Sequence, residues 1–385
     1  MLHQLGAGIV ALPGGAFLWS TLSFVVVIGI LVFVHEFGHY LAARSVGVRV
    51  EVFSIGFGRE IFGWNDRTGT RWKVSLLPLG GYVKMFAMTG EMQPHEVPAE
   101  QHHEAFITKS VMRRMWVVFA GPFANFLFAA VVLSGLFYFQ GERRLYPEVG
   151  GVVAHSAAAE AGLQPGDFIL SVGGQPVQYW DELVAKVTGS HGQAQAIVVK
   201  KADGAQQTLQ IAPRKVEVTN IFGEKVTLYQ IGITSGAAFA RVKHGLGTSV
   251  VLGVERTYVQ TATILKALWR MVTLQMPAEI GGPLTIGKVA GDNAAAGFES
   301  LLLFMVVISI NLGLINLFPV PVLDGGHLLY FSIEALLRRP LSERAQELGN
   351  KFGFGLLMLL MTFAFIKTSS TLLCRYSAAT APELT

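Results

Sequence analysis

One cysteine, Cys374, serves all 385 residues, and only 15% of the residues are charged. The lone thiol excludes an intramolecular disulfide framework and any multi-cysteine metal site, so metal binding has to rest on histidine and carboxylate. Soluble domains carry roughly a quarter charged residues. The shortfall here, with 51% hydrophobic residues and a mean hydropathy of +0.47, is a membrane composition with some soluble mass attached. A pI near 9.1 and a net charge of +4 raise nucleic acid as a partner. The basic residues gather beside apolar runs instead of forming one stripe with stacking aromatics, so nucleic acid is excluded. The N-terminus lacks a basic n-region and its small residues precede the apolar run. No cleaved signal peptide is expected, and the first apolar segment stays as an anchor. The sequence also has no Gly-x-Ser-x-Gly elbow, which disfavours a serine hydrolase.

What is present is a metal-binding box inside an apolar run. Phe24 to Val34 carries no charge, and His35-Glu-Phe-Gly-His39 follows directly. Histidines four apart share one helix face, so both imidazoles can reach one zinc ion, and Glu36 between them can take a proton from an attacking water. Ionisable side chains are costly in a bilayer and mark functional sites there.

Apolar windows of about 20 residues, the length that crosses the hydrocarbon core, predict a polytopic α-helical membrane protein with four transmembrane helices. The first lies within 1–45. The second lies within 114–140, with a local break expected at Gly121-Pro-Phe-Ala-Asn125. The third covers 300–326 and the fourth 352–373. Between the first two, the region 46–113 opens with alternating stretches, Val50 to Gly58 and Thr70 to Lys84, around a turn near Asn65–Gly69. They read as a membrane-associated β-hairpin or sheet. A cytoplasmic hairpin without catalytic part is the plainer alternative. His95, His102 and His103 fall in a polar loop and read as solvated. The segment 146–236 has the composition of a small β-rich domain, and Ala161-Gly-Leu-Gln-Pro-Gly-Asp-Phe-Ile-Leu-Ser-Val-Gly-Gly-Gln-Pro-Val177 resembles the PDZ signature. Such domains bind extended peptides along a sheet edge; a spacer or size filter is the other reading. Residues 237–299 read as an amphipathic interfacial helix region, with a turn at Ile280–Gly287. Arginine and lysine concentrate in the loops after the first and third spans. Both loops are expected to be cytoplasmic, leaving the insert extracytoplasmic.

Two histidines leave a catalytic zinc short of a third protein ligand. Asp324, in Asn316-Leu-Phe-Pro-Val-Pro-Val-Leu-Asp-Gly-Gly-His327, closes a run free of charge from Leu301 onward, and its burial calls for a cation. A helix-capping carboxylate is the alternative, and His327 competes as ligand. Pro319 and Pro321 interrupt helix, and Gly325 and Gly326 permit close approach. Asn316 is placed to hold substrate backbone or a developing oxyanion.

Taken together, the His35–His39 box, the Gly121–Asn125 segment, one PDZ-like insert and the Asn316–Gly326 motif resemble the site-2 protease family of intramembrane zinc metalloproteases. The likeness is greatest to its sigma-E-regulating bacterial branch. That resemblance implies Zn2+ held by His35, His39 and Asp324, with Glu36 as general base. It also implies residence in the bacterial inner membrane with the zinc near the cytoplasmic side. The implied partners are lipid and single-span membrane proteins, such as anti-sigma factors or remnant signal peptides, cut within or near the bilayer. Tandem PDZ domains are common in that branch, whereas this chain has room for one. A proteolytically inactive PDZ-bearing scaffold and a transporter component are the rival classes; four spans without an evident inverted repeat disfavour the second.

Overall fold

The computed structural model describes residues 14–88, 95–220, 223–273, 275, 282–342, 344–359 and 361–362. The chain divides into two compact units, one of Met1–Leu133, Gly253–Ile264 and Ala278–Thr385, the other of Ser134–Leu252 and Leu265–Pro277.

In the first unit, helix α1 (Gly15–Ser45) runs 31 residues, roughly 46 Å at 1.5 Å per residue. Its buried positions Trp19, Ser23, Val27, Leu31, His35 and His39 recur every fourth residue, a single stripe along one face. Phe17, Leu18, Leu22, Val26 and Ile30 cover the outside. The metal box therefore stands at the end of the stripe that faces protein.

Strands β1 (Val50–Asn65) and β2 (Arg71–Met85) are antiparallel and fold back on themselves. Residues 50–55 pair on one side with 81–85 and on the other with 71–74, and 60–65 pair with 71–75. The result is four ribbons from two strands, with 81–85 and 60–65 at the edges. Asp66 shapes the turn: its Oδ1 accepts from the Thr68 and Thr70 amides (2.8 and 3.0 Å), and its Oδ2 from Trp72 Nε1 (2.9 Å) and the Tyr40 hydroxyl of α1 (3.4 Å).

The second span is α2 (Val111–Phe139), and it carries Pro122 without interruption. The break expected at Gly121–Asn125 is not there; neighbouring helices and side chains let membrane helices absorb a proline. After the insert come α5 (Leu246–Val272) and α6 (Pro283–Ala296). The expected turn at Ile280–Gly287 is instead a helix start from Pro283 onward, because proline at the first helical position is pre-set in φ and gives up no needed N–H. Trp19 Nε1 donates to Gly291 O (3.2 Å), and a Cβ on Gly291 would meet Ser20 at 2.5 Å, so α6 lies against α1.

The third span is α7 (Phe298–Leu317), shorter than the expected 300–326. Prolines 319 and 321 end it, and Asp324 opens a separate helix, α8 (Asp324–Leu337). Three helices among the described residues, α1, α2 and α7, are long and apolar enough to cross a membrane. The expected fourth span, 352–373, is helical over 352–359 and 361–362; the remainder lies outside the described residues.

The second unit contains β3 (Glu142–Leu145), β4 (Val149–Val152), α3 (Ala157–Glu160), β5 (Phe168–Val172), β6 (Gln175–Pro176), α4 (Trp180–Gly189), β7 (Gln195–Lys200), β8 (Gln206–Ile211), β9 (Arg214–Thr219), β10 (Lys225–Gln230), β11 (Ile233–Ser235) and β12 (Phe239–Val242). A four-stranded sheet in the order β6-β5-β7-β8 is joined by the pairs β4–β11, β3–β12 and β9–β10. Ile169, Leu183, Ile197 and Ile211 are at most 2% exposed in its core. Gly173 and Gly174, at φ 60° and 76°, make the two-residue turn between β5 and β6 that only glycine-like residues tolerate at both positions.

Candidate active site

His35 and His39 lie one turn apart on the buried face of α1, and α2 fixes both rings. The His39 Nδ1 lies 2.9 Å from Val117 O. A carbonyl can only accept, so Nδ1 carries the proton and Nε2 presents a lone pair. His35 Nδ1 lies 3.0 Å from the Asn125 side-chain amide, and the Asn125 backbone carbonyl accepts from Ser309 Oγ at 2.9 Å. Close approach of α1 and α2 depends on two glycines. A Cβ on Gly38 would stand 2.3 Å from Ala120 O, and one on Gly121 would stand 2.2 Å from His39 Nε2.

Asp324 reaches the same point from a distant part of the sequence. The α7–α8 connection is wound tightly, with Val320 N bonding Phe318 O at 2.7 Å and Leu323 N bonding Val320 O at 3.1 Å. Cβ atoms on Gly325 and Gly326 would meet Phe318 O and Val320 O at 2.1 and 2.5 Å, so bare glycine is required there. Asp324 Oδ2 stands 3.1 Å from His35 Nε2 and 3.4 Å from His39 Nε2, and the two Nε2 atoms are 3.3 Å apart.

That triangle fits a tetrahedral zinc ion. Bonds of about 2.0–2.1 Å at the tetrahedral angle separate ligand atoms by about 3.3–3.4 Å. Asp324 Oδ2 is buried with no hydrogen-bond donor, and the His39 Nε2 that carries the lone pair lies 3.4 Å from it. Such an arrangement of acceptors calls for a cation between them. Among the described residues these three form the group able to hold a metal ion. His327 is not brought into it; its ring lies edge-on to Tyr330, centroids 6.3 Å apart. His102 Nε2 is spent on Val97 O at 2.9 Å and His103 on Glu104 at 3.7 Å.

Glu36, half-buried, points to the sheet side of α1. A Cβ on Gly81 would meet Val32 Cγ1 at 2.8 Å and Glu36 Cγ at 3.1 Å, and the Val83 amide lies within hydrogen-bonding reach of the Glu36 carboxylate. The edge ribbon 81–85 thus borders the site. Asn316 sits half-buried in the last turn of α7, outside the triangle. Sequence reading treated Asn125 only as part of a helix break. The signal for its place was a lone amide within an apolar span, the same signal that singled out Asp324.

The model of peptidase family M50 matches residues 23–360. A protein of Mesorhizobium japonicum named as a zinc metalloprotease is 38% identical over 360 residues, covering 91% of this chain and 98% of its own length. A similarly named protein of Brucella suis is 38% identical, covering 89% and 93%. The regulator of sigma E protease of Haemophilus influenzae is 32% identical over 440 aligned positions, covering 91% and 98%. Those 440 positions exceed the 385 residues here, so that relative carries sequence this chain lacks. The chain belongs to peptidase family M50, whose site-2 proteases are zinc metalloproteases of the membrane.

Proposed function

We propose that this zinc metalloprotease hydrolyses peptide bonds within or near the transmembrane segment of single-span membrane proteins. His35, His39 and Asp324 hold the zinc, Glu36 is the general base, and Asn316 contacts the substrate backbone. The convergence of two imidazole nitrogens and a donor-less carboxylate oxygen, at 3.1–3.4 Å from one another, carries this reading. An inactive scaffold has no use for such a group.

Bound zinc supplies Lewis acidity toward the scissile carbonyl and lowers the pKa of water toward 7. Glu36 takes the proton of the attacking water and delivers it to the leaving amine. A helical substrate hides its carbonyls in internal hydrogen bonds and must be extended before attack. The ribbon 81–85, bordering Glu36 at Gly81, is a sheet edge along which an extended segment can add. Val117 O and Asn125 keep the imidazoles turned so that Nε2 faces inward.

The PDZ-like insert supports recognition of a peptide outside the bilayer. Leu183, Val184 and Val187 of α4 and Leu228, Ile231 and Ile233 line a cavity of about 250 Å³ beside β11. We place the insert on the extracytoplasmic side of a bacterial inner membrane and the zinc toward the cytoplasm, following the basic loops. Anti-sigma factors and remnant signal peptides are the proposed substrates.

Glu36→Gln should keep zinc stoichiometry and abolish cleavage of a membrane-tethered reporter in detergent. Asp324→Ala should lower zinc content. Cleavage retained in the first variant, or full zinc in the second, rejects the assignment.

A further inference from the structure

A charged pair that the chemistry above does not use joins the second span to the helix that delivers Asp324. Arg114 Nη2 and Glu334 Oε1 are 2.6 Å apart, with side chains only 9% and 16% exposed. The guanidinium also donates through Nε to Lys109 O at 3.1 Å and lies 4.8 Å from the Phe331 ring centroid. Phe331 shares one core with Val117, Ala42 and Val83.

Such a desolvated pair adds little net stability, because the Coulomb gain is offset by the loss of hydration. Apolar side chains of similar volume would hold the two helices together as well. What they lack is direction, which a planar guanidinium fork imposes on a carboxylate. Direction matters here because of where the pair stands. Arg114 lies one helical turn before Val117, whose carbonyl holds His39, and two turns before Gly121, against which the His39 ring rests. Glu334 lies ten residues beyond Asp324 on the same helix, roughly 15 Å along it. A slip of α8 by one turn along α2 would carry Asp324 about 5.4 Å, clear of a ligand triangle with 3.1–3.4 Å edges. The start of α8 has no side-chain cap, and Val322 before it sits at φ 85°, a conformation strained for a β-branched residue. The pair adds, farther along the helix, a restraint on Asp324 beyond the tight backbone turn that precedes it.

We propose that Arg114 and Glu334 are positioning residues for the zinc site, fixing the register of α8 on α2 so that the Asp324 carboxylate meets His35 and His39. This rests on the reading of those three as ligands. The test uses full-length protein in detergent, with an Arg114→Met/Glu334→Leu double variant and Glu334→Gln. Zinc Kd by chelator competition, the thermal midpoint of metal-free protein, and kcat and KM on the tethered reporter are measured. The double variant should keep a metal-free midpoint near or above wild type, bind zinc roughly tenfold more weakly or worse, and lose kcat at unchanged KM. Glu334→Gln should shift zinc Kd and kcat the same way. Wild-type zinc affinity and kcat in a folded double variant overturn the inference; should that variant fail to fold, an unmoved zinc Kd in Glu334→Gln does so. Wild-type protein that binds no zinc overturns the ligand reading, and this inference with it.

Discussion

At the scale of single residues, the spacing of His35, Glu36 and His39 was enough to place two imidazoles together, because helix geometry dictates it. Asp324 was legible as an unpaired carboxylate ending an apolar run. The residues that hold the histidines were not. Asn125 and Val117 act across helices, and no local pattern specifies which turn of α2 meets which turn of α1. Gly121 was read as a helix breaker, yet its role is to leave room for His39. Gly121→Ala would put a methyl group 2.2 Å from His39 Nε2, on a ring tied through Nδ1 to Val117 O. Zinc binding and cleavage should both be lost, measured as metal content per chain and reporter turnover. Asn125→Ala should be milder. Loss of the partner to His35 Nδ1 costs roughly 10–100-fold in metal affinity, with the secondary structure by circular dichroism unchanged.

At the scale of elements, β-alternation and a turn at Asn65–Gly69 were legible, while the fold-back that makes four ribbons from two strands was not. Register within a sheet follows turn and packing, and here the packing partner is α1 through Gly81 and Tyr40. Asp66 is the hinge of that arrangement. Burial pushes its carboxyl up, and hydrogen bonds from Trp72, the Thr68 hydroxyl and the Thr70 and Thr68 amides outweigh that, holding it down at about 2. A pKa depressed in the folded state contributes stability that is present above the ordinary value, near 4, and is lost as pH falls through about 2. Asp66→Ala should therefore lower the thermal midpoint at pH 5, and the gap to wild type should close as pH approaches 2. Hydrogen exchange at the Thr68 and Thr70 amides should rise in the variant at pH 5. A gap that persists unchanged into acid would assign the effect to packing instead.

At the scale of the whole molecule, hydropathy located α1, α2 and α7 because a bilayer demands length and apolarity regardless of detail. It carried the third to residue 326, whereas the helix ends at Leu317, just before the interruption legible at Pro319 and Pro321. The insert was legible through its turn glycines and alternating apolar residues. Charge then gives an orientation that can be measured. Arg44 lies in the last turn of α1, the segment after it carries Arg49, Arg59, Arg67, Arg71, Lys73 and Lys84, and Arg338, Arg339 and Arg344 follow α8. Translocating such loops is disfavoured, so both should face the cytoplasm and the insert the opposite side. The single native cysteine makes the check clean. In a Cys374→Ser background, a membrane-impermeant maleimide applied to spheroplasts should label a cysteine at exposed Asp203 of the insert and spare one at exposed Arg67. Lysis should expose the second site fully. Labelling of Arg67→Cys before lysis would reverse the orientation, and would put the end of α1 that carries His39 and Tyr40, the latter bonded to Asp66 of that turn, toward the outer face.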